Sequence, residues 1–172
     1  MLEGKYVKLR SLEEEDLVIL KKWRNSKFIR ITTREYRILN MINQKNWFKS
    51  IHKDNPPKYI MFGIENKKGN LIGICGLTYI DWKNRHAEIS LYMGQKNWQK
   101  LKEAKDTLHV LIEYGFGELN LHRLWAEIYD TALNNVKLFE QMKFIKEGTL
   151  RDQLWRNGKW HNSFLFAKIS KK

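Results

Sequence analysis

The order of strand-like and helix-like segments is the feature that most constrains this chain. Three strand-like runs follow one another as a meander, at 59–65, 71–80 and 87–93. Downstream lie a helical pattern, a strand, a second helical pattern and a hairpin, at 100–116, 121–129, 132–143, 144–155 and 159–169. The Asn157-Gly158 pair between the last two runs is a strong two-residue hairpin signal. This order predicts a mixed, mostly antiparallel sheet with helices packed on it.

The segment before the meander predicts one more strand and two helices. Residues 5–10 alternate apolar and polar side chains, as a strand does. Ser11, with Glu14 three residues later, matches the capping box that opens a helix. Residues 28–42 lack periodicity and predict a loop, whereas 44–52 predict a short helix. The complete order is β-α-α-β-β-β-α-β-α-β-β, an α+β fold whose twisted sheet has about seven strands.

Size and composition fit one folded domain spanning 1–172. The chain is 42% hydrophobic and 30% charged, which suits a soluble globule with a core rather than a disordered chain. No apolar run is long enough to cross a bilayer, and the opening sequence lacks the apolar region of a signal peptide. The single cysteine, Cys75, lies in an apolar run and predicts a buried thiol without a disulfide or metal role. We therefore expect a cytoplasmic protein with no metal and no membrane partner.

The formal net charge of +13 restricts the partners that this chain can have. A basic protein attracts phosphates, whether in nucleic acid, at a membrane or on a phosphorylated cofactor. Here the lysines are spread along the chain, and no arginine-rich arm, zinc-finger spacing or aromatic RNA-binding motif occurs. The sequence therefore does not favour nucleic acid as a partner and leaves an anionic ligand open.

Several short motifs, in order along nearly the whole chain, resemble the GNAT superfamily of N-acetyltransferases. They include Lys8-Leu9-Arg10-Ser11, Trp23-Arg24-Asn25, Ile72-Gly73-Ile74-Cys75-Gly76-Leu77, Asn84-Arg85-His86-Ala87-Glu88-Ile89, Leu119-Asn120-Leu121-His122-Arg123-Leu124, Glu147-Gly148-Thr149-Leu150-Arg151-Asp152 and Asn157-Gly158-Lys159-Trp160. The similar branch contains ribosomal-protein, spermidine and nucleotide-linked amino-sugar acetyltransferases. The resemblance implies the GNAT fold, with helices on both faces of the sheet, and acetyl-CoA as co-substrate.

The resemblance also implies where acetyl-CoA binds. The cofactor is expected between two splayed strands, 87–93 and 121–129, with its pantetheine arm along Ile89, Ser90, Leu91, Tyr92 and Met93. Its pyrophosphate is expected at the start of the next helix, where free N–H groups and the helix dipole favour an anion. The residues implied there are Gln99, Lys100, Leu101, Lys102, Glu103 and Ala104, with Asn134 and Asn135 as further contacts.

Three positions depart from the family's pattern. Lys102 stands where the phosphate loop usually has a glycine, which lets the backbone approach closely. Ala132 stands where many members have an asparagine that contacts CoA. Phe139 stands where many have a tyrosine that protonates the leaving thiolate, and phenylalanine has no proton to give. These departures keep open a catalytically weakened or inactive module that has retained the fold.

Acetyl transfer to an amine needs a group that collects a proton from the amine. Glu88 is the first candidate, because it begins the strand expected to face the thioester. The alternative is that Glu88 is a structural residue paired with Arg85 or Arg123. His122 is the second candidate, since its pKa would suit the task. A backbone N–H near the middle of the same strand is expected to polarise the carbonyl; water or Tyr129 would protonate the thiolate.

The acceptor pocket is expected between the first helices and the C-terminal hairpin. Its candidate residues are Trp23, Arg24, Asn25, Trp82, Asn84, Trp155, Arg156 and Trp160. Tryptophan beside arginine suits stacking on a sugar or base with a nearby phosphate. Trp23-Arg24-Asn25 followed by Asn46-Trp47-Phe48 resembles the amino-sugar acetyltransferases. This resemblance ranks the acceptor amines as amino sugar, peptide N-terminus and polyamine, and +13 charges disfavour the polyamine. A homodimer is the assembly that we consider.

Overall fold

The structure, a computed structural model, describes residues 1–171 and contains in that range one eight-stranded sheet. The strands are β1 Leu2–Glu3, β2 Val7–Ser11, β3 Ile60–Asn66, β4 Leu71–Asp81, β5 His86–Met93, β6 Arg123–Tyr129, β7 Ile145–Arg156 and β8 Lys159–Ile169. Their spatial order is β1-β2-β3-β4-β5-β6-β8-β7. Every neighbouring pair is antiparallel except β5 and β6, which run parallel. The predicted α+β class and mixed sheet are confirmed, with the short β1 added.

Within the same residues, five α-helices pack with this sheet. They are α1 Leu17–Asn25, α2 Lys27–Arg30, α3 Met41–Ile51, α4 Lys102–Glu113 and α5 Leu133–Gln141. Helix α4 buries Ala104, Leu108 and Leu111, the apolar face that helical spacing predicts. The Cys75 thiol is fully buried in β4, as expected, and burial raises its pKa.

The starts of the first helices differ from the predictions. Ser11 ends β2 and caps nothing; the capping box joins Glu13 and Asp16, and α1 begins at Leu17 after a 3-10 turn. The prediction failed because Asp16, rather than Glu14, is held in place by an arginine on β2. Helix α3 begins earlier than expected because Asn40 and Asn43 form a capping box of their own.

The pairing of β5 with β6 ends soon after it begins. His86, Ala87 and Glu88 face Arg123, Leu124 and Trp125, respectively. Beyond that point β5 continues along β4 up to Met93, while β6 continues along β8 up to Tyr129. The two strands therefore part at Glu88, and a cleft opens between them with a free strand edge on each side.

Residues 1–171 contain neither a helix suited to cross a membrane nor a cluster of side chains suited to bind a metal ion. No helix in this range is long and apolar enough to cross a membrane. No group of three or more His, Cys, Asp or Glu side chains in this range could hold a metal ion.

Arg10 ties the first strands to the first helix. On β2, its Nε donates to Glu65 of β3 at 2.6 Å, and its two terminal nitrogens donate to Asp16 at 2.7 and 2.9 Å. Asp16 also accepts the backbone N–H of Glu13. Burial opposes the charge of Asp16, but the hydrogen bonds from Arg10 and Glu13 outweigh it and lower the pKa of Asp16.

We predict that Asp16→Asn lowers the free energy of unfolding by roughly 2 kcal/mol at neutral pH, because a buried charge-assisted pair is broken. Because the folded pKa of Asp16 lies below its unfolded value, the contribution is present above the unfolded pKa and disappears as the pH falls through the folded one. Urea unfolding of the wild type and variant at neutral pH and near pH ~3 measures both effects. Glu3→Gln, which removes the exposed ion pair with Lys8, is the control and should change little. An Asp16→Asn effect of equal size at both pH values would contradict the ionised role.

Candidate active site

The cleft between β5 and β6 holds a cavity of about 620 Å³. Strand β5 contributes Glu88 to Tyr92, and β6 contributes Ala126 to Tyr129. Asn135 and Phe139 of α5 lie on the wall as well. A segment between α2 and α3, residues 31–40, supplies further polar side chains, and we name it the strap. The parting of two parallel strands thus creates a space large enough for a small ligand.

The strap is fixed at several points. The Asn25 side chain both donates to the carbonyl of Leu39 and accepts its N–H, each at 2.8 Å. Arg156, from the C-terminal hairpin, donates to the carbonyls of Thr33 and Arg34. These bonds hold the strap from both the helical side and the hairpin side of the cavity.

Arg34 on the strap bridges the two splayed strands. Its terminal nitrogens donate to both oxygens of Glu88 on β5, at 2.7 and 2.8 Å, and to Glu127 on β6 at 2.8 Å. The guanidinium also lies 5.8 Å from the centre of the Tyr79 ring. Ser163 of β8 donates a further hydrogen bond to Glu127. Two carboxylates and one guanidinium therefore share the point where the strands part.

The charges of this trio stabilise one another. The hydrogen bonding that Arg34 donates to Glu88 raises the pKa of Arg34, so this arginine stays charged. Burial opposes the charge of Glu127, but the hydrogen bonds from Arg34 and Ser163 outweigh it and lower the pKa of Glu127. Glu88 itself is 5% exposed, and both of its carboxylate oxygens accept hydrogen bonds from Arg34.

Tyrosines line the cavity as proton-bearing groups. Burial raises the pKa of Tyr129 and raises that of Tyr92 to about 12. Both phenols therefore keep their protons at neutral pH and can act as donors. Tyr92 also lies beneath the guanidinium of Arg24, at 5.6 Å. Phe139, against Phe144, brings an apolar ring to the same wall.

The start of α4 has the features of an anion site. Its N-cap is Leu101, and no side chain of the described residues caps its first N–H groups. The ammonium of Lys102 lies 4.4 Å over the Tyr6 ring rather than across the helix end. Before the helix, Gln99 donates a hydrogen bond to Asn135, which connects this turn to the cavity wall.

Some of the residues predicted to bind the cofactor lie on the cavity wall, and others lie outside it. Ile89, Ser90, Leu91, Tyr92 and Asn135 are on its wall. Met93 is buried at the end of β5, and Asn134 lies outside the wall. The predicted phosphate residues Gln99, Lys100, Leu101, Lys102, Glu103 and Ala104 form a 3-10 turn and the first turn of α4, outside the wall of the cavity.

The two predicted catalytic residues are separated. Glu88 lies at the apex of the cleft. His122 is exposed just before β6, at the paired end of the strands and outside the cavity wall. The pairing of Glu88 with Arg85 or Arg123 does not occur. Arg85 bonds Asn120 and Arg123 bonds Glu147, because both project from the closed end of the strand pair.

Among the predicted acceptor residues, Arg24 lines the cavity. Most of the others have structural partners instead. Trp23 packs against Gly94 so closely that a side chain at Gly94 would overlap the indole. Trp82 donates to the carbonyl of Pro57, and Asn84 is held in a turn by Asp81. Asn25 holds the strap.

The three hairpin candidates differ in their contacts. Trp155 and Trp160 are half-exposed and pack edge to face on each other at the hairpin tip. Neither is on the cavity wall. Arg156 reaches the strap and acts on the site through it.

Sequence reasoning missed Arg34, Glu127 and Tyr79. Glu127 is polar in a strand whose neighbours Ala126 and Ile128 are buried, and this alternation beside Glu88 was an available signal. Arg34 had no such signal, because the strap lacks periodicity and its position depends on distant anchors.

Comparison with known proteins agrees with this geometry. A family model described as an acetyltransferase (GNAT) domain matches residues 9–165. The uncharacterized N-acetyltransferase p20 of Bacillus licheniformis is 30% identical over 95% of this chain and 92% of its own length. The spermidine N(1)-acetyltransferase of Vibrio cholerae serotype O1 is 26% identical over 90% of this chain and 87% of its own.

A solved structure extends the comparison to the fold. The crystal structure of spermidine N-acetyltransferase from Vibrio cholerae, in complex with CoA and spermine, superimposes with a TM-score of 0.86. It shares 24% sequence identity, and the match covers 95% of each chain. At this identity the likeness concerns the fold. Because the family model spans most of the length of this chain, the chain belongs to the GNAT acetyltransferase family.

Proposed function

We propose that this protein is an acetyl-CoA-dependent N-acetyltransferase that acts on a small primary amine. The observation that carries the proposal is the position of Glu88, a buried carboxylate at the apex where β5 and β6 part. A proton acceptor at that point faces the space into which both a thioester and an amine can enter. GNAT enzymes use acetyl-CoA, and the family assignment supports the same co-substrate here.

The chain has groups that fit acetyl-CoA, which would supply the acetyl group as a thioester. The free edge of β5 offers backbone donors and acceptors to an extended amide-bearing arm. The uncapped N–H groups of α4 suit the pyrophosphate. Lys102 belongs to the first turn of α4, and its ammonium is engaged by Tyr6, so its side chain does not crowd that end.

In the proposed reaction, the amine nitrogen bonds to the acetyl carbon, and the carbon–sulfur bond breaks. Glu88 accepts the proton that the amine loses, directly or through water. Backbone N–H groups of β5 donate to the carbonyl oxygen, where negative charge develops. Glu127 and Arg34 keep Glu88 oriented.

The departing thiolate also needs a proton. Phe139 has none, whereas Tyr129 lies on the same cavity wall and keeps its proton because burial raises its pKa. Tyr129 donates that proton to sulfur and regains one from solvent. In this chain, the role associated with the residue at Phe139 passes to Tyr129.

The motif resemblance and the named relatives support different classes of acceptor amine. The motif resemblance ranks a nucleotide-linked amino sugar first, but the relatives named above with a stated acceptor act on spermidine, so they lend the amino-sugar ranking no support. These relatives instead support a polyamine, which the sequence ranked third after a peptide N-terminus. The charges of Glu88, Glu127 and Arg34 favour an amine with one positive charge.

Calorimetry with acetyl-CoA, followed by amines and detection of free thiol, tests the proposal. We predict binding of acetyl-CoA and thiol release by the wild type. Glu88→Gln should keep the affinity within about threefold and lower kcat by at least ~100-fold, because only proton acceptance is removed. Glu140→Gln, exposed on α5, is the matched control. Binding without thiol release for any amine would instead indicate a non-catalytic module with the GNAT fold.

We predict that Tyr129→Phe lowers kcat by roughly tenfold or more while KM changes little, because thiolate protonation is affected rather than binding. Phe139→Tyr in the Tyr129→Phe background should restore part of the loss. Steady-state thiol release measures both variants. A Tyr129→Phe enzyme with wild-type kcat would assign the proton to water.

A further inference from the structure

We propose that Arg34 determines which amines the site accepts: by balancing one of its two carboxylates, it restricts the acceptor to a single ammonium and excludes polyamines. This inference rests on the proposed function and narrows its substrate class. It makes Arg34 a specificity-determining residue that stays in place during turnover.

The contacts of Arg34 hold its guanidinium too firmly for a substrate ammonium to take its place beside the two carboxylates. Three hydrogen bonds join its guanidinium to Glu88 and Glu127, and the Tyr79 ring lies beside it. Its backbone carbonyl accepts a hydrogen bond from Arg156. An incoming ammonium would have to break these three side-chain hydrogen bonds, while the bond from Arg156 holds the backbone at Arg34 in place.

The remaining charge of the cavity fits one ammonium. Glu88, Glu127 and Arg34 together carry one net negative charge, which a single ammonium neutralises. The cavity is lined by as many arginines as glutamates: Arg24, Arg34 and Arg37 with Glu35, Glu88 and Glu127. No surplus carboxylate on this wall, within the described chain, is available for a second ammonium.

The other charges at the cavity do not alter this balance. Arg37 donates to both oxygens of Glu35, and these bonds lower the pKa of Glu35 to about 2, so the pair is ionised and neutral overall. Arg24 lies over Tyr92, which is roughly 13 Å along β5 from Glu88. A polyamine extended from Glu88 along β5 would therefore meet a cation, whereas a neutral or anionic group would not be repelled.

Calorimetric titration of spermidine into the CoA-saturated protein tests the inference without any need for turnover. We expect wild-type affinity no tighter than about millimolar, and at least tenfold tighter binding by Arg34→Gln and Arg34→Met, because both free a carboxylate charge. Arg34→Lys keeps the charge and should bind spermidine as weakly as the wild type. Arg151→Met, which removes an exposed cation outside the cavity wall, is the control and should leave the affinity unchanged.

Three outcomes overturn the inference. They are micromolar spermidine binding by the wild type, unchanged binding by a folded Arg34→Gln or Arg34→Met, and equal tightening by Arg151→Met. Thermal melting identifies the variants that fold, and the wild-type titration is decisive even if both neutral variants unfold. Failure of the proposed function has a separate signature, since it appears as absent thiol release with every amine, whatever the spermidine affinities.

Discussion

The end of pairing between β5 and β6 is the constraint on which the rest of the site depends. Backbone N–H and C=O groups beyond Glu88 lose their neighbouring strand, and buried backbone groups without partners are costly. A ligand with amide groups of its own can satisfy them. The proposed co-substrate would enter at this gap, which the fold maintains because β4 and β8 hold the two strands from their outer sides.

The same gap explains the strap. Where the strands part, the buried Glu88 and the partly buried Glu127 bring two carboxylates close together, and like charges shielded from water repel each other. A cation is needed there, and neither strand supplies it. Arg34 comes from the strap instead. An irregular segment thus supplies the cation that balances the carboxylates of two regular strands, β5 and β6.

The sequence predicts the parts of this arrangement that follow from periodicity. Strand alternation located β5 and β6, and the position of Glu88 at the head of β5 suggested its role. The strap was assigned only as loop, because its conformation rests on Asn25 and Arg156, whose contacts lie far away along the chain. The tryptophans were overestimated for a related reason: an aromatic side chain predicts contact area, but not whether the contact is with Gly94, another tryptophan or a ligand.

Lys102 stands where the family's phosphate loop usually has a glycine. Glycine is required where the backbone takes a left-handed conformation or where a side chain would block a ligand. Lys102 belongs to the first turn of α4, where any residue fits the backbone, and its side chain extends to Tyr6. The N–H groups that attract a phosphate belong to the backbone and are retained. Under the proposed function, losing the glycine therefore removes little from the pyrophosphate site, and Phe139, which has no proton to donate, is the departure with the larger chemical consequence.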